Sequence, residues 1–329
     1  MADEGQHQDE DKLNADLFHA LSHDDDEQVI KLCNEIEGGP LYNMTLHQST
    51  VLHMACFLKK LKLADRLLDI VFANASSDEL YQKLSEPKNA WGNTVIHDAA
   101  TSNKGIPFVE KLLNKVPVLI NVKNKWGESP LIQAIRYGRK RMYKCLVNQV
   151  KYCESQGLTK NERLVFLKRK DNMTILHMAI LTRKFDVALD IAKRYPELYD
   201  EKDSHKMTAL QMLAHSPTAF KSGTILGPLQ KLVYSFVSTD EQDATAEVGM
   251  TGKDSNFIFG RRCCKFAMIE EVREKKGNQD ALQLAKMLIK SDKSWKNTYF
   301  PLAETTPNIG KKKTALRHVN FIVNCNSVD

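Results

Sequence analysis

Several features are scarce or missing in this chain, and each absence excludes a class of protein. Only 15 glycines and 10 prolines occur in 329 residues, too few for collagen or a low-complexity chain. Seven cysteines, at positions 33, 56, 145, 153, 263, 264 and 325, are odd in number and irregular in spacing. They build neither a small disulfide scaffold nor a paired zinc motif. No stretch approaches about 18 uncharged apolar residues, so nothing here reads as a bilayer-spanning helix. The apolar run Thr224–Val237 is broken by Pro228 and Lys231. The amino terminus lacks the apolar segment of a secretory signal. These absences lead to the expectation of a reduced, cytoplasmic protein with no transmembrane segment in this chain. What is present is a 42% hydrophobic fraction, enough to bury a core and exclude global disorder.

Charge is unevenly distributed. Residues 1–27 hold ten acids and one base, Lys12, a net −9, which leaves +15 on the remainder of a chain whose total is +6. Residues 1–11 read as an acidic disordered tail on a basic body.

One short pattern recurs along the first two thirds. It runs Thr50-Val-Leu-His53-Met-Ala, Thr94-Val-Ile-His97-Asp-Ala, Ser129-Pro130-Leu-Ile-Gln-Ala and Thr174-Ile-Leu-His177-Met-Ala, with a weak copy from Thr208. Successive starts are 44, 35, 45 and 34 residues apart. A Gly or polar residue precedes each copy, as in Trp91-Gly92-Asn93 and Trp126-Gly127-Glu128, which is turn chemistry. Thr or Ser then caps a short helix, and Pro130 falls in a first helical turn, where its missing N–H costs nothing. A second amphipathic helix follows in each unit, for example Leu61, Ala64, Leu67, Leu68, Val71. The two long steps contain extra residues at 73–88 and 152–171, which read as added helical turns.

A Thr-x-Leu/Ile-His-x-Ala pattern returning at this period resembles the ankyrin-repeat family. The resemblance covers residues 12–216 as about five to six units, the first and last degenerate. It implies an all-α ankyrin-repeat solenoid of helix-turn-helix units with short hairpin turns, plus a helical C-terminal extension. It implies structural roles for Thr50, His53, Thr94, His97, Ser129, Pro130, Thr174 and His177, the histidines bridging backbone groups between turns.

A closer resemblance is to plant ankyrin-repeat proteins with a C-terminal PGG membrane domain. It rests on the Asn-x-x-Gly-Asn-Thr turn, on the Leu210–Phe220 ending, and on a helical stretch after it. Residues 217–262 read as a linker or loop, and 263–295 as a helical segment with Phe266, Ile269, Val272, Leu282, Leu284, Leu288 and Ile289 at apolar positions. Residues 296–329 read as a tail in which Gly310–Leu316 looks like the start of a second ankyrin block. The PGG segment itself has no counterpart in these residues.

Candidate chemistry is sparse. The three repeat histidines have no partner at metal spacing. Gly249–Ser255 departs from a phosphate-binding loop, with Glu247 and Asp254 at positions that motif reserves for Gly and Ser or Thr. No metal, cofactor or catalytic residue is expected. Cys263 and Cys264, flanked by Arg261, Arg262 and Lys265, are candidates for S-acylation. Lys311–Lys313 form a basic cluster, but nucleic-acid binding would need interleaved stacking aromatics, which are missing.

Trp91 and Trp126 take the same place in successive turns, three residues before the capping Thr or Ser. Ankyrin proteins bind partners with these turns and the exposed side of the first helices. Trp91, Trp126, Arg136, Tyr137 and Arg139 are therefore the candidate partner-binding residues, an aromatic and basic patch suited to an acidic partner. The expected function is a non-catalytic protein-interaction scaffold, with plant signalling or stress and defence response implied by the resemblance. A second reading is a peripheral regulator held at the cytoplasmic face of the plasma membrane through the basic, Cys-containing C-terminal region. A remote third is a regulatory or catalytic subunit with a site in 217–329.

Overall fold

A computed structural model describes residues 2–73, 77–155, 163–164, 166–220 and 258–291. The backbone divides into two compact units, Met1–Met178 and Ala179–Asp329. Among the described residues all regular structure is helical, apart from isolated antiparallel bridges at Asn43–Thr50, Lys168–Thr174 and Lys202–Thr208.

The first unit opens with α1 (Ala2–Ser22) packed on α2 (Asp26–Glu35). Residues 2–11, which composition assigns to a disordered tail, are the first turns of α1. Helix growth from an existing nucleus adds one hydrogen bond per residue fixed, and Leu17, Ala20 and Leu21 anchor that nucleus in the core. Asp25 caps α2 by accepting from the Gln28 N–H at 3.1 Å.

Three helix pairs follow: α3 (Val51–Phe57) with α4 (Leu61–Ala73), α6 (Val95–Ala99) with α7 (Ile106–Lys115), and α8 (Pro130–Arg136) with α9 (Lys140–Ser155). The shorter helices contact one another in series, α3 to α6 to α8, and the longer ones α4 to α7 to α9. Each pair thus buries its apolar faces on its neighbours, the arrangement of a repeat stack. The inner-to-outer connection is tight. Lys59 and Gly138 take positive φ just after α3 and α8. The next N–H reaches back to the helix, Lys60 to Ala55 O at 2.9 Å and Arg139 to Ala134 O at 2.8 Å, a Schellman closure.

The first insertion is a helix of its own, α5 (Ser77–Ser85), with Leu80 and Leu84 buried and Tyr81 exposed. Much of the second, residues 156–162 and 165, lies outside the described residues, whereas Phe166 and Leu167 are buried.

Helix α10 (Ile175–Leu181) runs across the division between the units. The second unit continues with α11 (Phe185–Arg194), α12 (Ala209–Ala214) and the 34-residue α13 (Ile258–Ser291), which packs on both. Among its described side chains the buried ones are Asn278, Ala281, Leu284, Ala285 and Leu288, a helical-period stripe. The sequence reading starts this helix at 263. The backbone starts it at Ile258, because nothing between Ile258 and Cys263 breaks a helix except Gly260. Leu282 and Ile289, at apolar positions of the sequence pattern, are partly buried beside that stripe. Among the described residues no helix is long and apolar enough to cross a membrane.

Candidate protein-binding cleft

The turns that precede α3, α6 and α8 share one construction. Two residues before each capping Thr or Ser the backbone has positive φ: Gln48, Gly92 and Gly127, and likewise Asn172 and Lys206 before the next two helices. A Cβ built on Gly92 would lie 2.7 Å from Lys125 N, and one on Gly127 would lie 2.8 Å from Lys170 N. Glycine thus meets two demands there, a left-handed backbone and a close approach by the following turn.

An Asn side chain organises the turn from within. Asn89 Oδ1 accepts from Trp91 N at 3.1 Å and Asn93 N at 3.0 Å, and Asn124 Oδ1 accepts from Trp126 N at 3.0 Å and Glu128 N at 2.9 Å. The turns are then tied to each other at one register. Ala90 N donates to His47 O at 2.6 Å, Lys125 N to Trp91 O at 3.1 Å, and Lys170 N to Trp126 O at 3.2 Å.

The motif histidines add a second tie. Each Nδ1 lies within reach of its capping residue, 2.7 Å from Thr50 Oγ1 for His53 and 2.9 Å from Thr94 Oγ1 for His97. The opposite nitrogens reach the next turn, His53 Nε2 to Asn93 O at 3.1 Å and His97 Nε2 to Glu128 O at 3.0 Å. Thr174 Oγ1 and His177 Nδ1 form the same local pair at 2.8 Å. Burial pushes both His53 and His97 down to about 4, against the opposing pull of those carbonyls, so they are neutral at physiological pH. In the third copy Ile132 stands where His would be. There the Ser129 hydroxyl donates to Phe166 O at 3.1 Å and makes the forward tie itself.

This scaffold lines up side chains in ranks. Three residues before the cap stand His47, Trp91 and Trp126; four after it Met54, Asp98 and Gln133; seven after it Phe57, Thr101 and Arg136. All nine line a single cleft of about 750 Å³, together with Tyr137 and Arg139. The structure therefore brings Trp91, Trp126, Arg136, Tyr137 and Arg139 to one place. Trp91, Trp126 and Tyr137 are each nearly half exposed, Phe57 more so, and the Trp91 ring stacks obliquely on His47 at 5.3 Å between centroids.

The two arginines are not free. Arg136 Nη1 lies 3.1 Å from Glu128 Oε1, and Arg169 Nη1 lies 2.9 Å from the same oxygen. Glu128 is fully buried, and its Oε2 also accepts from Asn124 Nδ2 at 3.2 Å. Arg139 Nε donates to Thr101 O at 2.6 Å. The sequence pattern pairs these guanidiniums with an acidic partner, but in the folded chain both already have acceptors.

Met54, Phe57, Asp98 and Gln133 belong to no sequence motif of their own. Their signal is their register, since they repeat at fixed offsets from residues already aligned. Burial raises the Asp98 carboxyl to about 7, although Asn93 donates to it.

Cys33 and Cys56 are buried, and burial pushes the Cys33 thiol up to about 12 and raises that of Cys56 further. The side chains of Cys263 and Cys264, and all of residues 296–329 with Lys311–Lys313, lie outside the described residues. Among the described residues no cluster of three or more His, Cys, Asp or Glu is placed to hold a metal ion.

A family model described as ankyrin repeats (3 copies) matches residues 52–156 and again 96–200. Residues 52–200 carry ankyrin repeats, and the fold is that of an all-α repeat solenoid. No curated protein matches the chain.

Proposed function

We propose that the cleft over residues 45–139 is a protein-binding site and that the chain acts as a non-catalytic adaptor. The observation that supports this is the convergence of two tryptophans, a tyrosine and a phenylalanine, all substantially exposed, on one cleft. Large aromatics at such positions are the residue types that carry binding energy in interfaces. Their backbone is cross-tied at every turn, so little ordering entropy is lost on association. Ankyrin repeats generally mediate protein–protein contacts, and among the described residues four exposed aromatics, Phe57, Trp91, Trp126 and Tyr137, line this cleft.

The resemblance to plant ankyrin proteins supplies the setting of this reading: an adaptor in signalling or in stress and defence, at the cytoplasmic face of the plasma membrane. Peripheral attachment there would fall to residues 261–265 and 311–317.

Proximity labelling in plant cells tests the adaptor reading, with the intact chain beside a Trp91→Ala/Trp126→Ala/Tyr137→Ala variant shown to be folded by circular dichroism. Neighbours lost in the variant support the cleft. An unchanged set of neighbours contradicts it.

A further inference from the structure

Two acceptors in the cleft lack partners suited to them. Gln133 is 4% exposed, and among the described residues its Oε1 has no hydrogen-bond partner. A buried amide oxygen left unpaired has lost its water and gained nothing in return. Asp98 is 9% exposed. Among the described residues its oxygens accept only from neutral amides, Oδ1 from Asn93 Nδ2 at 3.2 Å and Oδ2 from Asn89 Nδ2 at 3.4 Å. None of the described basic side chains forms an ion pair with it. The two arginines of the cleft lining are bonded elsewhere, Arg136 to Glu128 and Arg139 to the Thr101 carbonyl. Neither lining arginine is bonded to Asp98, and Lys59, which also lines the cleft, forms no ion pair with it among the described residues.

The chemistry that would complete it is a cationic donor with a flat face. A guanidinium carries five N–H groups in a fixed plane, stacks on aromatic rings and is weakly hydrated. An ammonium is a compact, strongly hydrated point charge with no face to stack. A carboxylate entering the cleft would meet Asp98 and leave Gln133 Oε1 unpaired. Building on the protein-binding reading above, we infer that the cleft receives an arginine side chain of a partner protein. Its guanidinium pairs with the Asp98 carboxylate and donates to Gln133 Oε1, with Trp91 and Trp126 as the flanking aromatic surfaces. Gln133 Oε1 is buried, so the amide must turn toward the cleft to meet the donor, and this breaks no hydrogen bond at Oε1 among the described residues.

The test uses the full chain and a defined probe. N-acetyl-arginine amide is titrated while the indole N–H signals of Trp91 and Trp126 are followed by NMR. N-acetyl-citrulline amide, of the same shape but neutral, is the comparison. Saturable shifts with arginine, and affinity weaker by about tenfold or more with citrulline, are expected for a charge-assisted hydrogen bond. Asp98→Asn should give the same loss. If Asp98→Asn proves unstable, Gln133→Met provides the second variant. It removes the unpaired oxygen, so arginine affinity should fall while the thermal midpoint holds or rises. Absence of a saturable shift with arginine, or equal affinity for citrulline, overturns the inference. If that happens while the Trp91/Trp126/Tyr137 variant still loses its neighbours, the cleft binds protein by other means and the adaptor reading stands.

Discussion

The guanidinium of Arg136 lies 3.1 Å from the carboxylate of Glu128, a side chain with no exposed surface. Arg169, from the following turn, shares the same oxygen at 2.9 Å. One buried acid thus holds a cleft-lining residue and joins two turns. Removing a partner from a buried charge group typically costs about 3–5 kcal/mol. Glu128→Gln should therefore destabilise the chain strongly, by about 3 kcal/mol in urea unfolding. Arg136→Ala should cost about 1 kcal/mol or less, because Arg136 is half exposed and Arg169 remains. Equal effects of the two changes would contradict this division of roles.

The turn glycines make a paired prediction. Gly92→Ala places a methyl 2.7 Å from Lys125 N on a backbone at φ +75°, and left-handed strain in a side-chain-bearing residue is worth about 1–3 kcal/mol. Gly277 sits inside α13 with nothing among the described residues within 4 Å of its added Cβ. Gly277→Ala should stabilise by about 0.5–1 kcal/mol through helix propensity. Thermal midpoints of the two variants should therefore move in opposite directions.

Stability should depend on pH through the motif histidines. His53 and His97 are held down to about 4 in the folded chain by burial, against an unfolded value of about 6.5. Between those values the unfolded chain binds more protons, so stability rises with pH from about 4 to 6.5 and is lost on acidification. Each histidine contributes on the order of 3 kcal/mol to that rise. Asp98 works in the opposite sense. Its carboxyl is raised to about 7, so the folded chain binds the extra proton between about 4 and 7, and stability falls with pH there. Two groups outweigh one, leaving a net rise, and Asp98→Asn should steepen it. Denaturant midpoints at a series of pH values check both statements. A flat profile would contradict the buried, neutral histidines.

The sequence made the repeat frame legible because its signals are local. The capping Thr or Ser, the positive-φ turn residue and the apolar periodicity each lie within a few residues of one another. Trp91 and Trp126 were found by the same frame. The pairing of Arg136 was not legible, since its holder Glu128 is eight residues back and the second arginine, Arg169, is 41 residues from Glu128. Long-range ion pairs leave no periodic trace. Asp98 and Gln133 differ in chemistry from Met54 at the same offset. Alignment by residue type passes over such a rank, and alignment by position exposes it. The acidic residues before Lys12 looked like a tail by composition, yet their backbone continues α1.

Phe57 offers a check on the cleft that uses a residue outside the original patch. It is 67% exposed and ends α3, so Phe57→Ala should leave the unfolding free energy within about 0.5 kcal/mol of the parent. Partner recovery should nevertheless fall, as expected for an exposed aromatic anchor. A loss of stability larger than the loss of binding would place Phe57 in the core instead.

The most direct measurement of the central claim is site-specific photo-crosslinking in cells. A benzophenone amino acid replaces Tyr137, which lines the cleft, or Tyr81, which is similarly exposed on α5 and does not line it. Crosslinked partners from position 137 and none of them from position 81 are the predicted result. The same partners captured from Tyr81, with none from Tyr137, would contradict the account.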